Sequence, residues 1–271
     1  MPELPEVETT TRGIRPHIKG LTITNAVVRQ RALRHPVPRN LRQLVKNQTV
    51  VDVTRRAKYV LIALTNGHLI IHLGMTGNLR VINPAPNPEK HDHIDITFED
   101  GRVLRFTDPR RFGCVLHTKE DPAQHALIQS LGPEPLSTAF TPHYLHARSR
   151  TRSLAVKNFI MDGKIVVGVG NIYASESLFR AGILPHRQAG RVSLQKYRAL
   201  HGHIQDVLRE AIDAGGTTLR DYTNAEGFRG YFSQELDVYG QEGNPCTRCA
   251  RPIKMKVIGQ RSSFYCTGCQ R

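Results

Sequence analysis

The chain has 271 residues, with 38 Lys+Arg against 23 Asp+Glu and a formal net charge of +15. Hydrophobic residues at 39% and charged residues at 23% exclude a disordered or fibrous chain, and the length suffices for one large or two ordinary cores. No apolar run approaches the roughly 18 residues of a membrane helix, so a cytoplasmic protein without membrane association and with a polyanionic partner is expected.

Residues 3–18 read as a helix. Pro5 suits a first turn, and Leu4, Val7, Ile14 and Ile18 fall near one face. After Gly20 the pattern turns to strands. Asn66-Gly67 separates 59–64 from 68–71, and Asp100-Gly101 separates 94–98 from 103–106. Both dipeptides tolerate the positive φ of tight hairpin turns. Residues 21–118 are therefore mostly β, and a sandwich is expected. Asp121-Pro122 and Thr141-Pro142 are cap-plus-first-turn signals, with Leu131-Gly132-Pro133-Glu134-Pro135 between them as a linker. Ser193 caps an amphipathic helix with the core stripe Leu194, Tyr197, Ile204, Val207, Leu208, Ala211 and Ile212; Gly215-Gly216 ends it.

The tail carries Cys246-x2-Cys249 and Cys266-x2-Cys269, separated by 16 residues. Four thiolates at this spacing suit one structural Zn²⁺, with a β-hairpin over 253–264 between the knuckles. Disulfides are the rival reading. The acidic start Met1-Pro2-Glu3-Leu4-Pro5-Glu6 lacks the features of an export signal, which favours reduced thiols. Lys254, Lys256, Arg261 and Arg271 make a basic tip fit for phosphates, although each alone is equally an ordinary solvated charge. Cys114, in an apolar strand, reads as packing.

Pro2 follows Met1, and so small a second residue permits removal of the initiator. The freed secondary amine would titrate near the α-amino value of about 7.7–8.0, against about 10.4 for lysine. More of it is then free base near pH 7, and its attack on an aldehyde or acetal carbon yields a permanently cationic iminium. Glu3 and Glu6 follow, either able to act as a general acid beside the amine. Taken alone, Pro-Glu at a helix start is simply a favourable N-terminus.

Pro2-Glu3-Leu4-Pro5-Glu6-Val7-Glu8, Lys58 in Arg55-Arg56-Ala57-Lys58-Tyr59, and the terminal CxxC pair together resemble formamidopyrimidine-DNA glycosylases. So do His72-Leu73-Gly74-Met75-Thr76-Gly77, Asp108-Pro109-Arg110-Arg111-Phe112-Gly113 and the run from Val166 through Gly168-Val169-Gly170-Asn171 to Glu176. The resemblance spans essentially the whole chain. It implies an α+β fold of two domains: an N-terminal β-sandwich with a flanking helix, and a C-terminal helix-two-turn-helix domain with a zinc β-hairpin finger. The boundaries expected are 1–132, 133–237 and 238–271.

The resemblance also implies roles. Pro2 is the nucleophile at C1′ of the damaged nucleotide, Glu3 the acid that opens the sugar ring, and Glu6 a supporting group. Lys58, Asn171 and Arg261 grip phosphates around a nucleotide flipped into a cleft between the domains. Met75, Arg110 and Phe112 fill the hole left in the duplex. Taken singly, Met75 and Phe112 would be core residues, and Gly168 and Gly170 a plain turn. Lys157 matches a lysine near the lesion pocket; otherwise it is a surface lysine. His91 is a further candidate DNA contact, although solvated loop positions are the simpler account of His91 and His93. Two departures stand out. Asn158-Phe159 replaces the family's common Pro-Trp, and the base-capping segment 224–232 ends in Gly230-Tyr231-Phe232 without the Pro often found before that Gly. Lesion preference depends on that loop.

The expected function is base excision repair. A bifunctional glycosylase and abasic-site lyase would remove 8-oxoguanine and formamidopyrimidines from damaged duplex DNA through a Schiff base, then cut by β,δ-elimination. One Zn²⁺, no redox or nucleotide cofactor, a monomeric state and association with nucleoid DNA complete the expectation. The alternatives are an endonuclease VIII-like enzyme for oxidised pyrimidines, a non-catalytic damage-binding protein, and a generic zinc-ribbon nucleic-acid module.

Overall fold

The computed structural model describes residues 2–215 and 236–271. The chain divides into two compact units, one built on residues 2–129 and the other on 130–214 and 236–271. The capping segment 224–232 lies outside the described residues.

The first unit opens with helix α1, Leu4–Ile18, whose start is a capping box between Glu3 and Glu6. Its apolar face, Leu4, Val7, Ile14 and Ile18, is buried. Eight strands follow: β1 Ile23–Val28, β2 Val50–Arg56, β3 Tyr59–Leu64, β4 Gly67–His72, β5 Asn78–Ile82, β6 Asp92–Phe98, β7 Val103–Thr107 and β8 Cys114–Thr118. The short helix α2, Leu41–Val45, sits between β1 and β2. The strands form two antiparallel four-stranded sheets, ordered β1-β6-β7-β5 and β2-β3-β4-β8. Alternate residues of both sheets, including Ile94, Ile96 and Phe106 from one and Val60, Ile62 and Leu69 from the other, share one core with α1. This is the expected sandwich with a flanking helix, held by apolar burial at about 25 cal/mol per Å².

The turns differ from the sequence expectation in detail. Leu64 pairs with Gly67, so Thr65-Asn66 form the β3–β4 turn and Gly67, at φ +97°, begins the strand. A β-carbon at Gly67 would sit 2.6 Å from the Thr118 carbonyl oxygen of neighbouring β8, a second reason for glycine there. At 98–102 the Phe98 amide donates to the Arg102 carbonyl at 2.9 Å, which leaves a three-residue loop with Gly101 at φ +86°. The β2–β3 hairpin carries no Gly or Asn signal: Arg56 pairs with Tyr59, and Ala57 takes the left-handed φ of +54°.

The second unit is helical. Thr141 caps α3, Pro142–Ser149, through the Tyr144 amide. Next come α4, Val156–Met161, α5, Asn171–Arg180, and α6, Leu194–Asp213, the last capped by Ser193. The α6 stripe is buried as expected, with Leu200 added and Leu194 only half-buried. Asp121-Pro122 makes only a three-residue 3-10 turn, Pro122–Gln124. The tail folds as hairpin β9, Lys254–Ile258, and β10, Arg261–Tyr265. Gly259 and Gln260 form its two-residue turn at φ +56° and +61°. The tail's own core is small: Val238, Cys246, Ile253 and Cys266 pack on Phe179 of α5.

Candidate active site

In the first unit, Pro2 directly precedes the cap of α1 and is buried. Glu3 and Glu6 are buried too, at 3% and 1% exposure. The Glu3 amide donates to Glu6 Oε2 at 2.8 Å. Glu6 thereby fixes the backbone beside Pro2.

Lys58 occupies the β2–β3 turn, half-buried. The turn is tied back to the helix. Arg55 donates from Nη1 to the Ala57 carbonyl at 2.8 Å and from Nε to Glu8 Oε2 at 2.7 Å. Burial alone would raise the Glu8 pKa, but hydrogen bonds from Arg55 and Arg12 hold it below the ordinary carboxylate value. One turn of α1 thus carries Glu6 toward the terminus and Glu8 toward the lysine turn. The His72 ring packs tilted against Tyr59, 5.0 Å between centroids at 56°, and its Nδ1 accepts from the Gly74 amide at 2.9 Å. Burial, with Arg34, Lys58 and His35 nearby, lowers its pKa to about 4. It is a neutral acceptor at pH 7.

Met75, Arg110 and Phe112 are exposed, with Met75 at 38% and Phe112 at 44%. The Arg110 guanidinium stacks on the Phe112 ring at 4.8 Å. Core positions, the plain expectation for Met75 and Phe112, are thereby corrected: two large apolar side chains face outward on loops that follow β4 and β7. His93 is also corrected. It is 2% exposed inside β6, with Nε2 2.7 Å from the Asp108 carbonyl oxygen, not a solvated loop residue. His91 is half-buried against the edge of the His93 ring at 6.4 Å.

In the second unit, Gly168 at φ +79° turns the chain into α5, which begins at Asn171. Lys157 is fully buried, not a surface lysine. Its ammonium donates to Asn171 Oδ1 at 2.6 Å, Ser263 Oγ at 2.7 Å and the Ser262 carbonyl at 3.0 Å. Asn171 Nδ2 in turn donates to the Ser262 carbonyl at 3.1 Å. Lys157 therefore ties α4, the start of α5 and the zinc hairpin together. Asn158 lies on the hairpin turn, with its amide where a Gly259 β-carbon would stand. Arg261 is exposed at the first position after that turn.

A residue missed by sequence reasoning completes this junction. Glu176 on α5 is 2% exposed and accepts from the amides of Asp237, Val238 and Tyr239 at 3.0, 3.1 and 2.8 Å. Burial pushes its pKa up. In the sequence it stood only as the last residue of the run from Val166 and as the one acid of this helix, with no sign of its partners.

The four tail cysteines place their sulfur atoms within 4.8 Å of one another. Cys246–Cys269 and Cys249–Cys266 are 3.8 and 3.4 Å apart, far beyond a disulfide's length of about 2.05 Å. Tetrahedral zinc with Zn–S near 2.3 Å spaces its sulfurs by about 3.8 Å. The donor set fits one structural Zn²⁺ and sets the disulfide reading aside. Cys114 is buried, its thiol pushed up to about 11 by burial, as a packing cysteine should be.

The formamidopyrimidine-DNA glycosylase N-terminal domain matches residues 1–115. The chain belongs to the formamidopyrimidine-DNA glycosylase family. The glycosylase H2TH domain matches residues 131–223, and a zinc finger found in FPG and IleRS matches residues 243–271. The chain is 57% identical over 271 residues to the formamidopyrimidine-DNA glycosylase of Syntrophotalea carbinolica, all of both chains being covered. It superimposes on the MutM (Fpg) protein of Thermus thermophilus with a TM-score of 0.88 at 38% identity, covering 99% of this chain and 98% of that one. A Lactococcus lactis Fpg mutant in complex with Fapy-dG-containing DNA gives 0.92 at 30% identity, with both chains fully covered. As a glycosylase of this family, the chain is a DNA repair enzyme with one structural zinc.

Proposed function

We propose that the chain excises oxidised purines, 8-oxoguanine and formamidopyrimidines, from duplex DNA and then cuts the abasic strand, with Pro2 as the nucleophile. The observation that carries this reading is the start of α1, where Glu6 holds the Glu3 amide and so presents Pro2 and the Glu3 carboxyl from one rigid turn. Once Met1 is removed, the Pro2 nitrogen attacks C1′ and the glycosidic electron pair leaves with the base. Glu3 protonates the ring oxygen, the sugar opens, and the iminium forms. Loss of a C2′ proton expels the 3′ phosphate, and a second elimination expels the 5′ phosphate. No oxidant or organic cofactor enters the balance.

Lys58 and Arg261 take phosphates flanking the lesion, together with Asn171 and the amides at the start of α5. Lys157 acts by holding Asn171 and the hairpin in place. Met75, Arg110 and Phe112 fill the space of the everted nucleotide, and His91 supports the neighbouring backbone. The functional division is 1–132, 133–237 and 238–271, acting as a monomer on nucleoid DNA. No described helix is long and apolar enough to cross a membrane.

Borohydride trapping tests the chemistry. The wild-type protein on an 8-oxoguanine:cytosine duplex should give a covalent adduct that Pro2→Gly abolishes, with intact mass showing loss of Met1. Absence of an adduct from Met1-free protein sinks the covalent mechanism. Better excision of thymine glycol than of 8-oxoguanine would sink the purine assignment instead.

A further inference from the structure

We propose that Asp108 and Thr76 form a pin that locks the two loops bearing Met75, Arg110 and Phe112 in register. They are then positioning residues for base eversion, an inference that rests on the void-filling reading of those three side chains. Asp108 is fully buried. Its Oδ1 accepts from Thr76 Oγ1 at 2.8 Å and its Oδ2 from the Gly113 amide at 2.8 Å. Thr76 Oγ1 in turn accepts from the Arg110 amide at 3.2 Å. One carboxylate and one hydroxyl therefore bind the residue after Met75 to Arg110 and Gly113, which bracket Arg111 and Phe112.

The backbone of Asp108 anchors the pin. Its amide donates to the His91 carbonyl at 3.1 Å, and its carbonyl accepts from the Arg111 amide at 3.2 Å and lies 2.7 Å from His93 Nε2. Arg111 takes φ +58°, a left-handed turn that this closed ring of bonds sustains. The loops also touch directly. A β-carbon on Gly74 would stand 2.4 Å from the Gly113 nitrogen, and one on Gly113 would stand 2.6 Å from the His72 carbonyl oxygen. The load explains the construction. Holding a base out of the stack costs free energy, and loops that carry the wedge must not recoil under it. Hydrogen bonds to a buried carboxylate are among the few surface-loop contacts of comparable strength.

The test is Thr76→Val, which keeps the side chain's shape and removes the hydroxyl. Single-turnover base excision from an 8-oxoguanine duplex should fall roughly tenfold or more, as misplaced positioning groups typically cause. A 2-aminopurine beside the lesion should show a slower fluorescence rise. Thr76→Ser should restore both. Nicking of a single-stranded abasic oligonucleotide, where no partner strand needs wedging apart, should stay at the wild-type rate. A parallel loss of single-strand nicking would show a general structural defect and overturn the inference. Wild-type excision by Thr76→Val would also overturn it, provided the double variant Met75→Ala/Phe112→Ala is slow. If that double variant excises at full speed, the void-filling reading itself falls, and the pin falls with it.

Discussion

Lys157 Nζ lies 2.6 Å from Asn171 Oδ1, inside the protein. The lysine uses its charge to order an asparagine and a hairpin whose sequence lies about a hundred residues away. Lys157→Met should take the donor from Asn171 Oδ1 and Ser263 Oγ, while the Ser262 carbonyl keeps Asn171 Nδ2, at about 1–3 kcal/mol for a buried group left unsatisfied. Thermal unfolding and affinity for an abasic-analogue duplex should fall together. A loss of affinity at unchanged stability would mean that the lysine touches DNA itself.

On the proposed mechanism, the Glu3–Glu6 box would tie stability to catalysis. Glu6→Ala removes the acceptor for the Glu3 amide, and capping losses of this kind cost about 1 kcal/mol. The yield of borohydride-trapped adduct should drop far more than the unfolding temperature does. Equal trapping by the variant and wild type would remove Glu6 from the site.

Zinc removal should act locally. The tail core is a handful of side chains leaning on Phe179, too little to fold without metal. Chelation should abolish binding to damaged duplex and release one zinc per chain by atomic absorption. The β-sheet signal in circular dichroism should stay largely intact, because none of the four tail cysteines is among the described residues of the sandwich core. Collapse of the whole spectrum on chelation would contradict this independence.

His72 makes an acid-sensitive contribution. Its folded pKa of about 4 lies below the ordinary 6.5, so the unfolded chain binds more protons between those values. The contribution is complete above pH 6.5 and lost as pH falls toward 4, by at most about 3 kcal/mol. His72→Asn, which keeps an acceptor for the Gly74 amide, should show a flatter stability curve across that window. Identical slopes for the variant and wild type would count against a neutral, half-buried His72.

Glu176 collects three amides of the chain leading into the zinc hairpin. Glu176→Gln keeps one oxygen but turns an NH₂ toward those donors. Hydrogen exchange should then rise selectively at 237–239, and zinc should leave faster on chelation. Unchanged protection at those amides would refute the clamp.

Much of this molecule is written in short stretches of its chain. The first-turn Pro5, the Ser193 and Thr141 caps, the strand-rich run, the α6 stripe and the CxxC pair each depend on residues within a turn or two, or on one repeating period, so sequence alone determined them. The positive charge and the Pro2-Glu3 start proposed as the reactive group belong here too. Other features were decided only by tertiary structure. The Lys58 turn has no glycine to announce it and is held by an arginine that reaches to α1. Arg105 lies in the strand read over 103–106, but its burial and its pairing with Asp95 at 2.8 Å come only from the packed sheet. Lys157 meets Ser263, 106 residues on, and Asp108 meets Thr76, 32 residues back. The reason is physical: a charged or polar side chain takes its role from whatever desolvates and pairs it, and those partners become neighbours only when the sheets and helices pack.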